Sequence, residues 1–358
     1  MSRPTPLRDV HEALGATLTD FAGWLMPLRY GSESAEHNAV RQAAGLFDLS
    51  HMGEIFVTGP GAGEALDYAL VGHLSALAPG RARYTMIVNS EGGVLDDLIV
   101  YRLADEEFMV VANASNYQLV AEELRNRCKD ATVEDRSDQY ALIAIQGPKA
   151  QEILASLTDA DLPGLKYYAG LPGVVDGRQA LIARTGYTGE DGFELFVANP
   201  DAVPLWNALL AAGEPYGLIP AGLSARDTLR LEAGMPLYGN ELSAALTPFD
   251  AGLGRVVKFD KPGDFVGRSA LEAVKDDAPA RRLVGLVAQG RRVPRHGFPV
   301  TRDGVVVGEV TSGAPSQTLG KPIAMAYVDT GVHDGLAVDI RGSQEPMDLV
   351  ELPFYRRK

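Results

Sequence analysis

Strand-like and helical runs alternate along the first three quarters of the chain, and from about Ala278 the helical runs stop. That break constrains the fold more than any other feature. Before it, Glu54 to Thr58 alternates like a strand and leads into a helical pattern from Ala62 to Leu70. Tyr84 to Val88, Asp97 to Tyr101 and Phe108 to Ala112 read as further strands. A helix follows, with Tyr117, Val120, Ala121, Leu124 and Cys128 on one face. The set then repeats: Tyr140 to Ile145, Ala180 to Ala183 and Phe193 to Val197 as strands, Ala150 to Leu157 and Pro204 to Ala212 as helices. Beyond the break, Leu283 to Val287, Val305 to Val310, Ile323 to Val328 and Ala337 to Ile340 are short β runs separated by turn residues.

For 358 residues, ~100–200 per domain allows two or three domains. The pattern predicts an α+β body over residues 1–275, made of two similar subdomains, and an all-β barrel or sandwich over 276–358. The hydrophilic stretch Leu271 to Arg282 is the expected joint.

A net charge of −14 argues against nucleic acid, whose binding needs a basic face. No window approaches the ~18 apolar residues of a membrane span, and the start, Met-Ser-Arg-Pro-Thr-Pro-Leu-Arg, has no signal-like apolar run. A soluble, cytoplasmic protein is expected. The single cysteine, Cys128, permits no internal disulfide and reads as a buried filler. The histidines show no zinc-type spacing, and His37 and His51 read as structural or surface residues, so no metal is expected. Arg291, Arg292, Arg295 and His296 form a local basic run: a solvated turn, or a docking patch for an acidic partner.

Gly59-Pro60-Gly61-Ala62-Gly63 is not a dinucleotide loop, because Glu64 stands where the fingerprint needs glycine and would repel phosphate. Three other clusters carry more. Tyr84 to Asp97 ends in a Gly92-Gly93 turn followed by Asp96 and Asp97 at the mouth of an apolar strand. A charged pair there must be solvated, paired or used, and strand alternation lets only one of the two face a given cavity. A turn-capping role remains the alternative. In Thr185 to Glu194, Glu194 faces away from a core if Phe193 faces it, and a carboxylate there can take two parallel hydrogen bonds from an N–H/NH₂ edge; the alternative is a plain hairpin. In Ala221 to Gly234, Arg226 and Arg230 share a helix face, and in isolation they suggest an intrahelical ion-pair ladder.

In this order the clusters resemble the T-protein family of the glycine cleavage system, the tetrahydrofolate-dependent aminomethyltransferases. The resemblance begins at Asp20-Phe-Ala-Gly-Trp24 and runs through Phe47-Asp48-Leu-Ser-His51-Met52, the Gly-Gly-Val-Leu-Asp-Asp turn and Gly-Tyr-Thr-Gly-Glu. It continues through Ala225-Arg-Asp-Thr-Leu-Arg-Leu-Glu-Ala-Gly to Val310-Thr-Ser-Gly313 and Pro353-Phe354. It implies a three-domain cloverleaf, with folate held between the first two domains and a C-terminal barrel. It implies Asp96 as the catalytic carboxylate, with Asp97 facing away. Met52, Tyr84, Asn113, Tyr187, Glu194, Arg226 and Tyr355 are implied folate contacts. The implied partner is lipoylated H protein. Arg83, beside Tyr84, would make the pocket edge more cationic. A stand-alone folate-dependent demethylase of the same fold is the alternative. A folate-binding factor of iron–sulfur maintenance would need a cysteine that Lys261-Pro-Gly-Asp-Phe265-Val-Gly267-Arg268 lacks.

Overall fold

The computed structural model describes residues 2–357. Two sheets face each other across the body. The first has five strands, in the order Ala82–Val88, Val94–Ala104, Glu107–Ala112, Gly53–Thr58, Thr132–Asp135. The second has six, in the order Gly170–Val175, Arg178–Ala183, Gly192–Ala198, Tyr140–Gln146, Gly45–Asp48, Ile219–Pro220. Each sheet buries its outer face under helices. Ile55, Val57, Leu98 and Val100 meet the helices Ala62–Ala69 and Tyr117–Arg127 on one side. Ile143, Ile145, Phe193 and Leu195 meet Ala150–Ala155 and Ala202–Gly213 on the other. The inner faces share a third core, with Phe56, Tyr101 and Val111 opposite Phe47, Leu142 and Phe196. Since successive strand residues point to opposite faces, Leu98 and Val100 go to the helices while Ile99 and Tyr101 go between the sheets.

The expected mixed body is therefore followed by the expected all-β unit, a closed barrel of six strands from Arg281–Ala288 to Ser343–Val350. Two N-terminal features were not legible: a three-stranded sheet (Arg3–Pro4, Trp24–Arg29, Thr17–Phe21) and the helix Glu33–Gln42. The joint is shorter than expected. The helix Arg268–Val274 occupies its first part, and Leu271 is fully buried against Val88, Val94 and Phe265. No helix among the described residues is long and apolar enough to cross a membrane. Cys128 is buried, and burial pushes its thiol up to about 12.

The barrel is fastened to the body by the helix Leu223–Glu232. Glu232, fully buried, accepts hydrogen bonds from Arg41 Nη2 (2.8 Å), Ser316 Oγ (2.5 Å), Thr318 Oγ1 (2.7 Å) and the Thr318 amide (3.1 Å). His37 Nε2 lies 3.2 Å away, and its Nδ1 is 2.8 Å from Thr228, so His37 has buried partners after all. Arg230, two residues earlier, pairs with Glu241 (3.0 Å) and donates to Ser312 of the barrel (2.7 Å).

Burial alone would raise the pKa of Glu232, but the hydrogen bond and charge of His37, with Ser316 and Arg41, bring it down to about 2. A carboxyl depressed from its usual ~4.3 contributes stability that is complete above that value and is lost as pH falls towards 2. Glu232→Gln should destabilise the fold by about 3 kcal/mol at neutral pH, because it removes the buried anion on which Arg41, His37, Ser316 and Thr318 converge, although Arg41 keeps Glu190. Urea titrations at pH 7 and pH 3 would show the wild-type advantage shrinking in acid. An advantage constant with pH would refute this account.

Candidate active site between the two sheets

A cavity of about 560 Å³ lies in the gap between the sheets. Apolar side chains, among them Leu49, Met52, Ile99, Val111 and Leu142, form its walls, and a few polar groups converge inside. Of the residues expected from sequence, Met52, Tyr84, Asn113, Tyr187, Glu194 and Arg226 all line it.

Two expected residues do not. Asp96 is fully buried on the helix side of its strand, where it accepts from the Asn113 amide (3.0 Å), Asn113 Nδ2 (2.9 Å) and Asn116 Nδ2 (2.8 Å) at the entrance to the helix Tyr117–Arg127. Its neighbour Asp97, expected to face away, is the acid that faces the cavity. Alternation does separate the pair, as expected, but the cavity lies on the face shared by Asp97, Ile99 and Tyr101. Tyr355 is also outside. Its ring lies 4.1 Å from the Arg41 guanidinium, and its amide donates to the Glu232 carbonyl (2.8 Å). Arg83 leaves the pocket edge as well, its guanidinium turned to the His73 carbonyl.

The strand pair Ala82–Val88 and Val94–Ala104 sets the Asp97 end of the site. Its tight turn runs from Asn89 to Gly93; Gly92 adopts φ +84°, and a Cβ on Gly93 would overlap the Ala244 carbonyl. Asp97 accepts from Tyr84 Oη (3.0 Å) and from Asn113 Nδ2 (2.9 Å). Burial pushes Asp97 up to about 6, against the pull of those two donors. Asp96 is raised to about 7 by burial and by the charge of Asp97.

The second sheet supplies the other end. Glu194 projects inward between Phe193 and Leu195, which face the helices, as its alternation requires. Thr185 Oγ1 donates to Glu194 Oε2 (2.5 Å), so Tyr101 Oη, 2.9 Å from the same hydroxyl, is the donor to Thr185. Burial raises the pKa of Glu194; the Thr185 hydrogen bond and the charge of Arg226 oppose it. Arg226 lies 4.7 Å over the Tyr187 ring and forms no ion pair among the described residues. One rung of the expected ladder forms: Arg230, one turn on, pairs with Asp227 within the helix (2.7 Å) and with Glu241 beyond it, while Arg226 takes no part. The Tyr187 hydroxyl is tied to the Pro236 carbonyl, which anchors the segment Met235 to Tyr238 against the cavity.

Sequence reasoning missed several lining residues. Tyr168 and Tyr101 carry no motif signal, and the tip residues Phe21 and Ala22 lie inside the Asp20-to-Trp24 motif without any role having been read from it. His51 was set down as structural or surface. It is 3 % exposed, lines the cavity, and meets the Phe21 ring edge-on at 5.5 Å. Its place immediately before Met52 was the one available hint.

Comparison with known proteins now decides the family. The GCVT N-terminal domain matches residues 7–261, and the glycine cleavage T-protein C-terminal barrel domain matches 281–356. The chain belongs to the glycine cleavage T-protein family. Within it, the chain is 68% identical to an aminomethyltransferase of Streptomyces coelicolor (99% of this chain, 98% of that one). It is 45% identical to one from Bacillus subtilis, over the whole of both chains. The glycine cleavage system aminomethyltransferase T of Bartonella henselae superposes with a TM-score of 0.93 at 38% identity, covering 99% and 98% of the two chains.

Inside this T-protein cavity His51 should be neutral. Burial and then the charge of Arg226 lower its pKa to about 4. A base held below its unfolded value of ~6.5 adds stability that is full above pH 6.5 and declines as the pH falls to 4. Proton NMR should show one ring titrating near pH 4 that disappears in His51→Gln. A His51 signal titrating near 6.5 would contradict the burial argument.

Proposed function

We propose that the cavity binds tetrahydrofolate and receives the aminomethyl-loaded dihydrolipoyl arm of H protein, so that the chain acts as the aminomethyltransferase of the glycine cleavage system. The products are 5,10-methylenetetrahydrofolate, ammonia and the reduced arm. The observation that carries this reading is the presence of two inward carboxylates, Asp97 and Glu194, in one apolar-walled cavity of a chain that matches its family from end to end.

The residues present suit a pterin with a charged tail. Glu194 offers paired acceptors to an N–H/NH₂ edge. Arg226, with no ion pair among the described residues, can hold a negative or carbonyl group of the ligand. Met52, Ile99 and Val111 provide flat apolar contact, and the rings of Tyr84 and Tyr187 close the walls. Asn113 and Tyr84 hold the Asp97 carboxylate in place, and folded in a mostly apolar site it remains able to take a proton near neutral pH. Asp97 therefore replaces Asp96 as the proposed catalytic residue. Its tasks are to accept the proton lost by the attacking nitrogen and to stabilise positive charge developing on the transferred carbon. Positioning two reactants within ~3–3.5 Å supplies further acceleration, and the fixed walls serve that end.

The decisive assay mixes tetrahydrofolate with lipoylated, aminomethyl-loaded H protein and follows methylenetetrahydrofolate and ammonia. Both should form, and Asp97→Asn should bind folate while losing ~10²–10⁴-fold in turnover. Silence with H protein, together with methyl transfer from a free sulfonium or methylamine donor, would instead establish a demethylase. Full turnover by Asp97→Asn would remove the proposed role of that carboxylate.

An acidic enzyme also needs somewhere to receive its partner. Arg291, Arg292 and Arg295 are exposed on the loop that enters the barrel strand Pro299–Arg302, and the loop packs through His296 Nδ1 on the Thr311 carbonyl (2.7 Å). The next residue, Ser312, bonds Asn240, which lines the cavity (3.0 Å), so the basic loop stands near the rim. Replacing the three arginines with glutamine should raise the KM for H protein several-fold and leave that for folate unchanged. An unchanged KM for H protein would take the loop out of the docking surface.

A further inference from the structure

We propose that Asp96 is a positioning residue that acts on Asp97 through the single amide group of Asn113. The inference rests on the reading of Asp97 as the acting carboxylate and goes beyond it.

The geometry is one of shortage. Asn113 Nδ2 lies 2.9 Å from Asp96 Oδ1, 2.9 Å from Asp97 Oδ1 and 3.1 Å from the Asp97 carbonyl. An amide nitrogen has two hydrogens, so three acceptors cannot all be satisfied at once. What one carboxylate gains, the other gives up. The two acids are adjacent in a strand and project to opposite faces, and Asn113, at the end of the neighbouring strand Glu107–Ala112, reaches both. Asp96 has independent anchors, the Asn113 amide and Asn116 Nδ2, which hold the 113–116 turn and so fix the direction of the Asn113 side chain. Apart from Asn113, the side chain that donates to Asp97 among the described residues is Tyr84. Asp96 thereby competes with Asp97 for the amide that Asp97 depends on, and the charge of Asp97, once ionised, raises Asp96 in turn.

Two buried carboxyls linked in this way titrate as a unit, and the second proton leaves against the charge of the first. Other groups facing the pair are few. Tyr84, Tyr168 and Tyr187 face Asp97; Tyr238 faces Asp96 and, more weakly, Asp97. Glu241 also acts on Asp97, but its charge is already matched by Arg230 at 3.0 Å. The tyrosines stay protonated through the working range, since burial raises each of them. Asp96 is thus the group near Asp97 whose charge changes with pH.

Carbon-13 NMR of aspartate-labelled protein tests this without substrate. In the wild type the Asp97 carboxyl signal should move in two steps, one of them reporting Asp96. In Asp96→Asn, where Asn113 Nδ2 no longer serves a competing carboxylate, it should titrate once and at lower pH. The acid limb of kcat/KM should shift down by the same amount. Asn113→Ala, which takes a donor from both acids, should shift the Asp97 titration up. A purely structural Asp96 predicts reduced activity at every pH with an unmoved limb, and that result would overturn the proposal. If Asp96→Asn does not fold, a single-step wild-type titration overturns it and a two-step one upholds it. Because the NMR readout needs no turnover, coupling can be found even if Asp97→Asn proves fully active. In that case the functional reading fails and the link between the carboxyls stands.

Discussion

The buried charge of Glu232 is the constraint on which the rest of the molecule depends. An unpaired carboxylate in that place would be too costly to keep, so donors must come to it from several segments: Arg41 and His37 from one helix, Ser316 and Thr318 from the barrel. Replacing such a cluster with hydrocarbon can be energetically neutral, but hydrocarbon would not specify one docking geometry. The cluster does. Only one placement of the barrel brings Ser316 to Glu232 and Ser312 to Arg230 together. Arg226 belongs to the same helix, one turn before Arg230, so the contacts that seat this helix on the barrel also fix where the cation in the cavity starts.

Where a segment buries hydrocarbon on a regular period, its structure was legible. The strand and helix pairs of both subdomains announce themselves through Leu98, Val100, Phe193 and Leu195 on one face and their alternates on the other. The helix Glu33–Gln42 was hidden because it buries Glu36 and His37 beside Val40 and so shows no apolar stripe. Its polar residues look solvated until their partners, Thr228 and Glu232, arrive from nearly two hundred positions away. The joint was misjudged for a related reason: Leu271 lies in a run of charge, and its burial depends on Val88, Val94 and Phe265.

The site follows the same division. Glu194 was readable because its neighbours Phe193 and Leu195 are apolar and fix the face it takes. Asp96 and Asp97 have no such reference. The strand after them is apolar on both faces, since one face meets helices and the other meets the second sheet, so the sequence holds no sign of which side contains the cavity. Resemblance pointed to Asp96 within the acidic pair, whereas the packing of the sheet on Tyr117–Arg127 turns Asp97 to the cavity. Arg226 and Arg230 illustrate the same point on a helix, where spacing gave a common face but not the separate partners each would find.

The chain of hydroxyls from Tyr101 through Thr185 to Glu194 joins the two sheets across the cavity. Its consequence concerns entropy. The width of the gap is set when the sheets close on each other, and the acceptor on Glu194 is already oriented before any ligand arrives. A ring entering this slot need not order its walls, so the rotational freedom of those side chains was surrendered during folding rather than at binding. Affinity for a rigid, flat molecule is thereby raised without adding a contact, while a bulkier one would have to part the sheets against that same hydroxyl chain.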